Sequence, residues 1–366
     1  MVQVHAPSFS FLQNEIVYSY SFLLTWYCKN RNLLVEVLES RVNSIKRKRI
    51  LLSPLNWGLG HVTRTIPVIQ TFLKHENEVI ICCDANQEEI YRNYFPELWY
   101  VRHKGYPFSF KGKGNWSLDI MRNFFSLNIF LSDEKKRVED LVEKFNPDIV
   151  VSDQRFGFRS NKVKSIIVSH QLNLPLSSLN IAGKLLNRKM LNKFDEIWIP
   201  DNIDKPLSGN LSKGANSKSF FIGSCSRFHY DAIDKFLPRE KTYKYLGIIS
   251  GPPPYSNMFL ELLIQKFLIL EERCAIISPI NNELDCEKID FYFRPDHDSF
   301  LEVLLKSDTV ISRSGYSTLM DINETGNKAI LIPTKGQKEQ IYLAKHLKTN
   351  NSWRFCSEQE FRDLRL

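Results

Sequence analysis

A glycine turn followed by a histidine and an arginine, Gly58 to Arg64, is the first feature with a chemical use. Gly58 and Gly60 let the backbone approach a ligand closely, and the start of the next helix offers unpaired N–H groups to an anion. His61 is a candidate general base because imidazole titrates near neutral pH, and Arg64 lies about one turn further on. The alternative is a structural turn with a capping histidine. The third glycine of a dinucleotide-binding loop is missing.

A second junction of strand, turn and helix, from Ser312 to Asp321, has the composition of an anion site. Arg313 supplies positive charge, and hydroxyl residues open the helix after the turn at Ser314 and Gly315. Asp321 lies further along the helix, where a carboxylate could accept both hydroxyls of a ribose. The alternative for Asp321 alone is that it lies on a solvent-exposed face of the helix and binds no ligand.

Further polar groups are predicted at the ends of other strands. Glu339 and Gln340 open the helix that follows the turn Pro333 to Gly336, and a carboxylate beside an amide suits sugar hydroxyls. Asp153 ends one buried strand, and His170 with Gln171 ends the next, at the edge where α/β sheets place functional side chains. The alternative for Glu339 and Gln340 is that they are ordinary residues of a first helical turn. The alternative for the strand-end groups is that they form hydrogen bonds that cap loops.

The elements that must position these groups alternate along the chain from Arg49 onward. Apolar runs of strand length are followed by stretches with helical periodicity, which favours parallel sheets covered by helices on both faces. We therefore predict an α/β fold of two facing Rossmann-like domains with a ligand cleft between them. The predicted strands are Ile50–Pro54, Glu78–Cys83, Asp148–Ser152, Ser165–Ser169, Glu196–Ile199, Tyr245–Ser250, Ala275–Ser278, Phe291–Phe293, Thr309–Ser312 and Ala329–Ile332.

The length of 366 residues also favours two domains, because it exceeds what one hydrophobic core usually organises. The polar stretch 202–219 precedes the predicted boundary, which gives domains of 46–222 and 223–366. Residues 1–45 are predicted to lie outside the fold. Their apolar part contains polar interruptions and is a poor membrane span. A weak membrane anchor and an over-long translated start are both compatible with it.

The net charge indicates which classes of partner are compatible with the chain, and the cysteine content indicates its cellular compartment. The net charge of +8 is compatible with a phosphate-bearing substrate, an anionic lipid surface or a merely solvated basic surface. No nucleic-acid-binding signature is present, so we expect no nucleic acid partner. The seven cysteines are scattered without a Cys-x-x-Cys pair, which favours a reducing cytoplasm. We expect neither a metal nor another cofactor.

Taken together, these motifs resemble glycosyltransferase family 28, which has the GT-B fold. The run Ser312 to Ala344 is similar to the family's C-terminal domain, and Gly58–Arg64 is similar to its N-terminal glycine loop. Gly251 occupies the place of the second glycine loop. The family includes the N-acetylglucosaminyltransferase of the lipid II pathway. The opening Pro54–His61 is closer still to a bacterial group of unassigned acceptor.

The resemblance implies a nucleotide-sugar donor, expected to be a UDP-sugar, held mainly by the second domain. Ser314 and Gly315 would contact its diphosphate. Asp321 takes the place of a glutamate that holds the ribose, with a side chain shorter by one methylene. Gln340 matches the glutamine that contacts the sugar, and Glu339 precedes it. The family also implies inversion at the anomeric carbon and an acceptor of the bacterial cell envelope.

These expectations combine into a metal-independent transfer of a sugar to an unidentified acceptor. His61 would act as the base, Asp153 would orient it, and Arg313 with the helix starts would stabilise the leaving diphosphate. The acceptor would be lipid-linked or a polysaccharide, reached in the cytoplasm or at the inner face of the membrane. A UDP-sugar hydrolase remains an alternative, because Gly58–Arg64 also resembles the loop of such an enzyme. The second alternative function is that of a nucleotide-sugar-binding protein without catalytic activity.

Overall fold

Two parallel sheets organise the computed structural model, which describes residues 41–107, 124–175, 181–231, 233, 240–283 and 286–366. The first sheet has the strand order β3-β2-β1-β4-β5-β6-β7. Its elements are β1 (Arg49–Pro54), α1 (Gly60–Lys74), β2 (Glu78–Cys83), α2 (Ala85–Arg92), β3 (Trp99–Arg102), α3 (Phe124–Phe145), β4 (Ile149–Asp153), β5 (Lys164–Val168), α4 (Ile181–Leu191), β6 (Glu196–Ile199) and β7 (Ser219–Phe221), with a short 3-10 helix at Gly209–Leu211.

The second sheet has the strand order β10-β9-β8-β11-β12-β13. Its elements are β8 (Tyr243–Ile248), α5 (Tyr255–Leu268), β9 (Cys274–Ser278), β10 (Ile289–Phe293), α6 (His297–Leu305), β11 (Ser307–Ser312), α7 (Tyr316–Thr325), β12 (Lys328–Leu331), α8 (Lys338–His346), β13 (Trp353–Phe355) and α9 (Glu358–Asp363). All paired strands of both sheets are parallel. The predicted pair of parallel α/β domains is confirmed.

The central strands are apolar because helices cover both faces of each sheet. In β1 every residue after Arg49 is buried, and β4 is buried throughout. Continuous rather than alternating apolar runs are typical of such strands. These continuous apolar runs made the central strands easy to predict from the sequence.

In each sheet the strand order reverses once, between β1 and β4 in the first and between β8 and β11 in the second. Open α/β sheets bind ligands outside the carboxyl ends of their strands at this switch point. Seven of the thirteen predicted site residues lie at the ends of these strands or in the loops that follow them. They are Gly58, Gly60, Asp153, Gly251, Arg313, Ser314 and Gly315.

The predicted N-terminal extension of residues 1–45 needs a correction at its inner end. Val42 is fully buried and Ile45 is 7% exposed, both in the core of the first domain. Arg41 forms an ion pair with Glu196 and lies 3.9 Å from the ring centroid of Phe220. Residues 41–45 therefore belong to the first domain, whereas residues 1–40 lie outside the described residues. The predicted boundary at 222/223 falls in the connection between β7 and β8.

A protein that begins at residue 46 should be less stable than one that begins at residue 41. The shorter form loses the burial of Val42 and Ile45, each worth about 1.5–3 kcal/mol as an upper estimate. We expect its unfolding free energy in urea to be lower by a few kcal/mol, up to about 6 kcal/mol. Equal stability of the two forms would show that residues 41–45 contribute nothing to the fold.

Among the helices of the described residues, none is both long enough and apolar enough to cross a bilayer.

Candidate functional site

The glycine turns of the two domains face each other. Gly58 and Gly251 have φ values of +99° and +94°, which side-chain-bearing residues rarely adopt. A Cβ on Gly58 would lie 3.6 Å from Cα of Gly251, and one on Gly60 would lie 2.9 Å from Oγ of Ser317. The Ser317 hydroxyl donates to the carbonyl of Gly60 at 2.7 Å. The switch points of the two sheets are thus directly opposed.

Three helices begin at these loops without a side-chain cap. They are α1, α5 and α7, whose N-cap residues are Leu59, Pro254 and Gly315. Four helices elsewhere are capped by their own side chains, at Asp84, Asp296, Gln337 and Ser357. An uncapped start leaves N–H groups and the positive end of the helix dipole available to an anion. The site between the domains therefore favours a diphosphate.

His61, at the start of α1, contacts the carboxylate that ends β4. Its Nδ1 lies 2.8 Å from Oδ2 of Asp153. Arg64 binds the other oxygen, with Nε 2.8 Å from Oδ1 and Nη2 also in contact with it. Arg64 and Asp153 are buried. The predicted pair of His61 and Asp153 is brought together, and Arg64 holds the carboxylate from the other side.

The contacts decide which ring nitrogen of His61 carries the proton. Nδ1 also lies 2.7 Å from Nη2 of Arg64, so it can donate to Asp153 or accept from Arg64, but not both. Oδ2 of Asp153 would lose its donor in the second case, at a cost of about 1–3 kcal/mol for a buried group, whereas Arg64 keeps its bond to Oδ1. Nδ1 therefore donates to Asp153. Nε2 has no hydrogen-bond partner among the described residues and is left to accept a proton.

The electrostatic setting keeps this base neutral. Burial and the Arg64 guanidinium lower the pKa of His61, and together they outweigh the opposite effect of Asp153. Burial alone would raise the pKa of Asp153, but the charge of Arg64 and the hydrogen bonds from His61 and Arg64 hold it below its usual value. The carboxylate is therefore ionised and the imidazole neutral over the physiological range.

The lowered pKa of His61 has a kinetic consequence. Only the neutral ring can accept a proton, so activity should be lost as pH falls through the pKa, which lies below the usual 6.5. We expect kcat/KM to be constant above pH 6.5 and its acid limb to lie below that value. An acid limb centred at or above 6.5, under conditions where circular dichroism shows an intact fold, would contradict this assignment.

A second polar cluster joins the two domains next to the first. Nε2 of His170, after β5, lies 2.6 Å from Oε1 of Glu339 in the first turn of α8. Gln171 donates from Nε2 to the other carboxylate oxygen at 2.6 Å. The His170 ring stacks on Tyr316 with centroids 3.9 Å apart, and its Nδ1 lies 3.4 Å from Nη1 of Arg64. A chain of polar contacts therefore connects Glu339 to His61 through His170 and Arg64.

Burial would raise the pKa of Glu339, but the neighbouring His170 and Arg64 hold it below its usual value. Next to it, Gln340 accepts from the backbone of Thr334 at 2.7 Å through Oε1. The hydroxyl of Ser314 donates to the backbone carbonyl of Gln340 at 3.2 Å. The turn before α7 and the start of α8 are therefore joined, and both predicted sugar-contacting side chains lie beside the predicted diphosphate turn.

Two predicted donor contacts are corrected by their surroundings. The guanidinium of Arg313 is 3% exposed, lies over the ring of Phe259 at 4.2 Å and pairs with Glu358 at 3.1 Å. These partners are in α5 and α9 of its own domain. The guanidinium of Arg313 is therefore packed within its own domain, where its ion pair with Glu358 secures α9.

Asp321, which was predicted to hold the ribose, is the second donor contact that its surroundings correct. Its Oδ1 accepts from the hydroxyl of Ser226 at 2.8 Å, and its Oδ2 accepts from Nε of Arg227 at 3.0 Å. Both residues belong to the connection between the domains. The carboxylate is thus occupied by the chain itself, and binding a ribose would require this ion pair to open.

Sequence reasoning missed two residues at the domain contact. Ser317 lies within a predicted motif, but a single polar residue carries no signal of its own. Tyr316 was predicted only as a helix start, whereas its hydroxyl donates to the carbonyl of Pro200 at 2.8 Å. Their roles depend on the packing of one domain against the other.

Comparison with known proteins agrees with this arrangement. The profile of the glycosyltransferase family 28 C-terminal domain matches residues 279–366. A UDP-N-acetylglucosamine–N-acetylmuramyl-(pentapeptide) pyrophosphoryl-undecaprenol N-acetylglucosamine transferase of Oenococcus oeni is 24% identical, over 78% of this chain and 77% of that protein. An uncharacterized glycosyltransferase of Methanosarcina acetivorans is 25% identical, over 80% and 79%.

Solved structures share the fold at low identity. The glycotransferase of kitacinnamycin has a TM-score of 0.58 at 12% identity, covering 86% of this chain and 87% of its own. A spinosyn rhamnosyltransferase complexed with thymidine diphosphate has a TM-score of 0.53 at 13% identity, covering 84% and 86%. MnaA of S. aureus with UDP has 0.50 at 15%, covering 83% and 88%. The GT-B fold is confirmed.

Proposed function

We propose that this chain, a family 28 glycosyltransferase with the GT-B fold, moves a sugar from a UDP-sugar to a lipid-linked hydroxyl acceptor. The transfer inverts the anomeric carbon and uses no metal ion. One observation carries the proposal. The opposed glycine turns at the two switch points share their edge with the His61–Asp153 pair, and Nε2 of His61 has no hydrogen-bond partner in the part of the chain that the structure describes.

The donor diphosphate is proposed to lie at the uncapped start of α7, beside Ser314, Gly315 and Gly251 of the second domain, with Gly58 of the first domain opposite. Because Ser317 already contacts Gly60, the two turns must separate to admit it. Glu339 and Gln340 are proposed to receive the sugar. UDP is favoured by the UDP-N-acetylglucosamine in the name of the Oenococcus oeni relative and by the UDP bound to MnaA.

In the proposed reaction, the acceptor oxygen attacks C1 of the sugar while the bond from C1 to the diphosphate oxygen breaks. Nε2 of His61 takes the hydroxyl proton, and Asp153 stabilises the imidazolium that forms. The negative charge on the leaving UDP is stabilised by backbone N–H groups of the helix starts, which are fixed before the reaction begins. Attack opposite to the leaving group inverts the configuration.

The proposed acceptor is a lipid at the inner face of the cytoplasmic membrane. The name of the Oenococcus oeni relative includes a pyrophosphoryl-undecaprenol acceptor. In this chain Ile181 and Leu185 of α4 are 61% and 62% exposed. Partial burial and nearby cations lower the pKa of Lys193, which follows α4; the cations are Arg159, Lys189 and Lys135. Exposed apolar groups beside clustered cations favour contact with an anionic membrane surface.

The test is incubation with UDP-N-acetylglucosamine, UDP-glucose or UDP-galactose, each with and without a bacterial lipid extract, followed by mass spectrometry. We expect UDP release only when the extract is present, a glycosylated lipid product, and no loss of activity in EDTA. Equal amounts of UDP and free sugar without any extract would identify a hydrolase. Binding without turnover, also with polysaccharide acceptors, would identify a binding protein.

A further inference from the structure

The carboxylate of Glu339, which is proposed to receive the sugar, meets the side chains of His170 and Gln171 from the opposite domain. Gln171 donates one N–H to Oε2 of Glu339 at 2.6 Å. Its other amide N–H and its Oε1 have no hydrogen-bond partner among the described residues. The half-buried carboxamide of Gln171 therefore presents one donor and one acceptor beside a carboxylate.

The backbone of Gln171 is fixed from both sides. Its N–H donates to Oγ of Ser169 at 3.1 Å, and its carbonyl accepts from Nδ2 of Asn187 at 2.9 Å. Asn187 is one of the few buried residues of α4. A side chain on a fixed backbone loses less conformational entropy on binding, and it discriminates better between ligands.

We propose that Gln171 of the first domain and Glu339 of the second form a shared subsite for the donor's sugar hydroxyls, in which Gln171 determines specificity. This inference rests on the proposed function. A carboxylate only accepts hydrogen bonds, whereas a carboxamide both donates and accepts. Together they can pair with two neighbouring hydroxyls of a hexose. A sugar that lacks or inverts one hydroxyl leaves a polar group unpaired, which is the stronger source of discrimination.

The subsite exists only when the domains are closed, because its two members come from opposite sides of the cleft. UDP alone has no group to place there. The contribution of Gln171 should therefore be visible in the difference between the affinities for a UDP-sugar and for UDP.

The test compares Gln171→Leu with the wild-type protein by calorimetric titration with UDP, UDP-N-acetylglucosamine and UDP-glucose. For the UDP-sugar that the wild type binds more tightly, we expect the Kd of the variant to rise about tenfold or more. The Kd for UDP should not change. The matched control is Gln359→Leu, since Gln359 also donates to a carboxylate, Asp363 at 3.1 Å, but on exposed α9. Thermal unfolding of both variants checks the fold.

Three results would overturn the inference. The variant could keep the wild-type difference between UDP-sugar and UDP, it could bind the UDP-sugar more tightly, or the wild type could bind both equally well. Tighter binding would mean that Gln171 only obstructs Glu339. By contrast, a wild-type protein that binds neither UDP nor a UDP-sugar would contradict the proposed function itself, so the two failures are distinguishable.

Discussion

Replacing His61 by alanine is expected to lower kcat by roughly 10²–10⁴-fold, the usual contribution of a positioned general base. Donor affinity should be nearly unchanged, because the proposed diphosphate contacts are backbone N–H groups at other positions. The fold should also persist, since the side chain is 18% exposed and the ion pair of Arg64 with Asp153 remains. Initial rates with saturating UDP-sugar, together with titration of UDP, measure the two effects separately.

His75 provides the matched control because it follows the end of α1, the helix that His61 opens. His75→Ala should keep wild-type kcat. If His61→Ala turns over at the wild-type rate, His61 is not the base. If it binds UDP much more weakly, His61 acts in binding instead.

Replacing Asp153 by asparagine is expected to damage both activity and stability. The change leaves the buried guanidinium of Arg64 without its counter-charge, and breaking one partner of a buried pair costs about 3–5 kcal/mol. It also removes the carboxylate that fixes Nδ1–H of His61, so kcat should fall as it does in His61→Ala. Urea unfolding and initial rates on the same preparation measure both.

Asp148 is the control for this change, at the other end of β4. It pairs with Lys48 at 2.9 Å on the surface, where such pairs contribute about 0–1 kcal/mol. Asp148→Asn should therefore leave stability within about 1 kcal/mol of wild type and leave kcat unchanged. An equally small loss of stability in Asp153→Asn would show that the buried pair does not support the fold.

The sequence predicted the buried strands within two residues, because a strand covered on both faces needs a continuous apolar run. It missed β3, where Trp99–Arg102 forms a short edge strand that is half exposed and needs no such run. It also missed α4, in which Ile181 and Leu185 face outward, so the helical apolar stripe is absent. Edge strands and helices that cover little core carry a weak signal.

For the site, strand-end position and residue type predicted that His61, Asp153 and Glu339 lie at the edge where the two domains meet. They could not give the direction of Arg313 or the partner of Asp321, because those depend on which elements pack nearby. The buried role of Val42 was hidden for a similar reason, since the charged run after it suggests an exposed segment. The surroundings of Arg313, Asp321 and Val42 are all determined by contacts between residues that are distant in the sequence.

A crystal structure with a bound UDP-sugar tests the central claim most directly. We predict that phosphate oxygens accept from the backbone N–H groups at the start of α7, between Gly315 and Ser317, with Gly58 opposite. We also predict that Nε2 of His61 faces C1 of the sugar. A diphosphate bound away from the two switch points, or a sugar whose C1 is turned away from His61, would contradict the account.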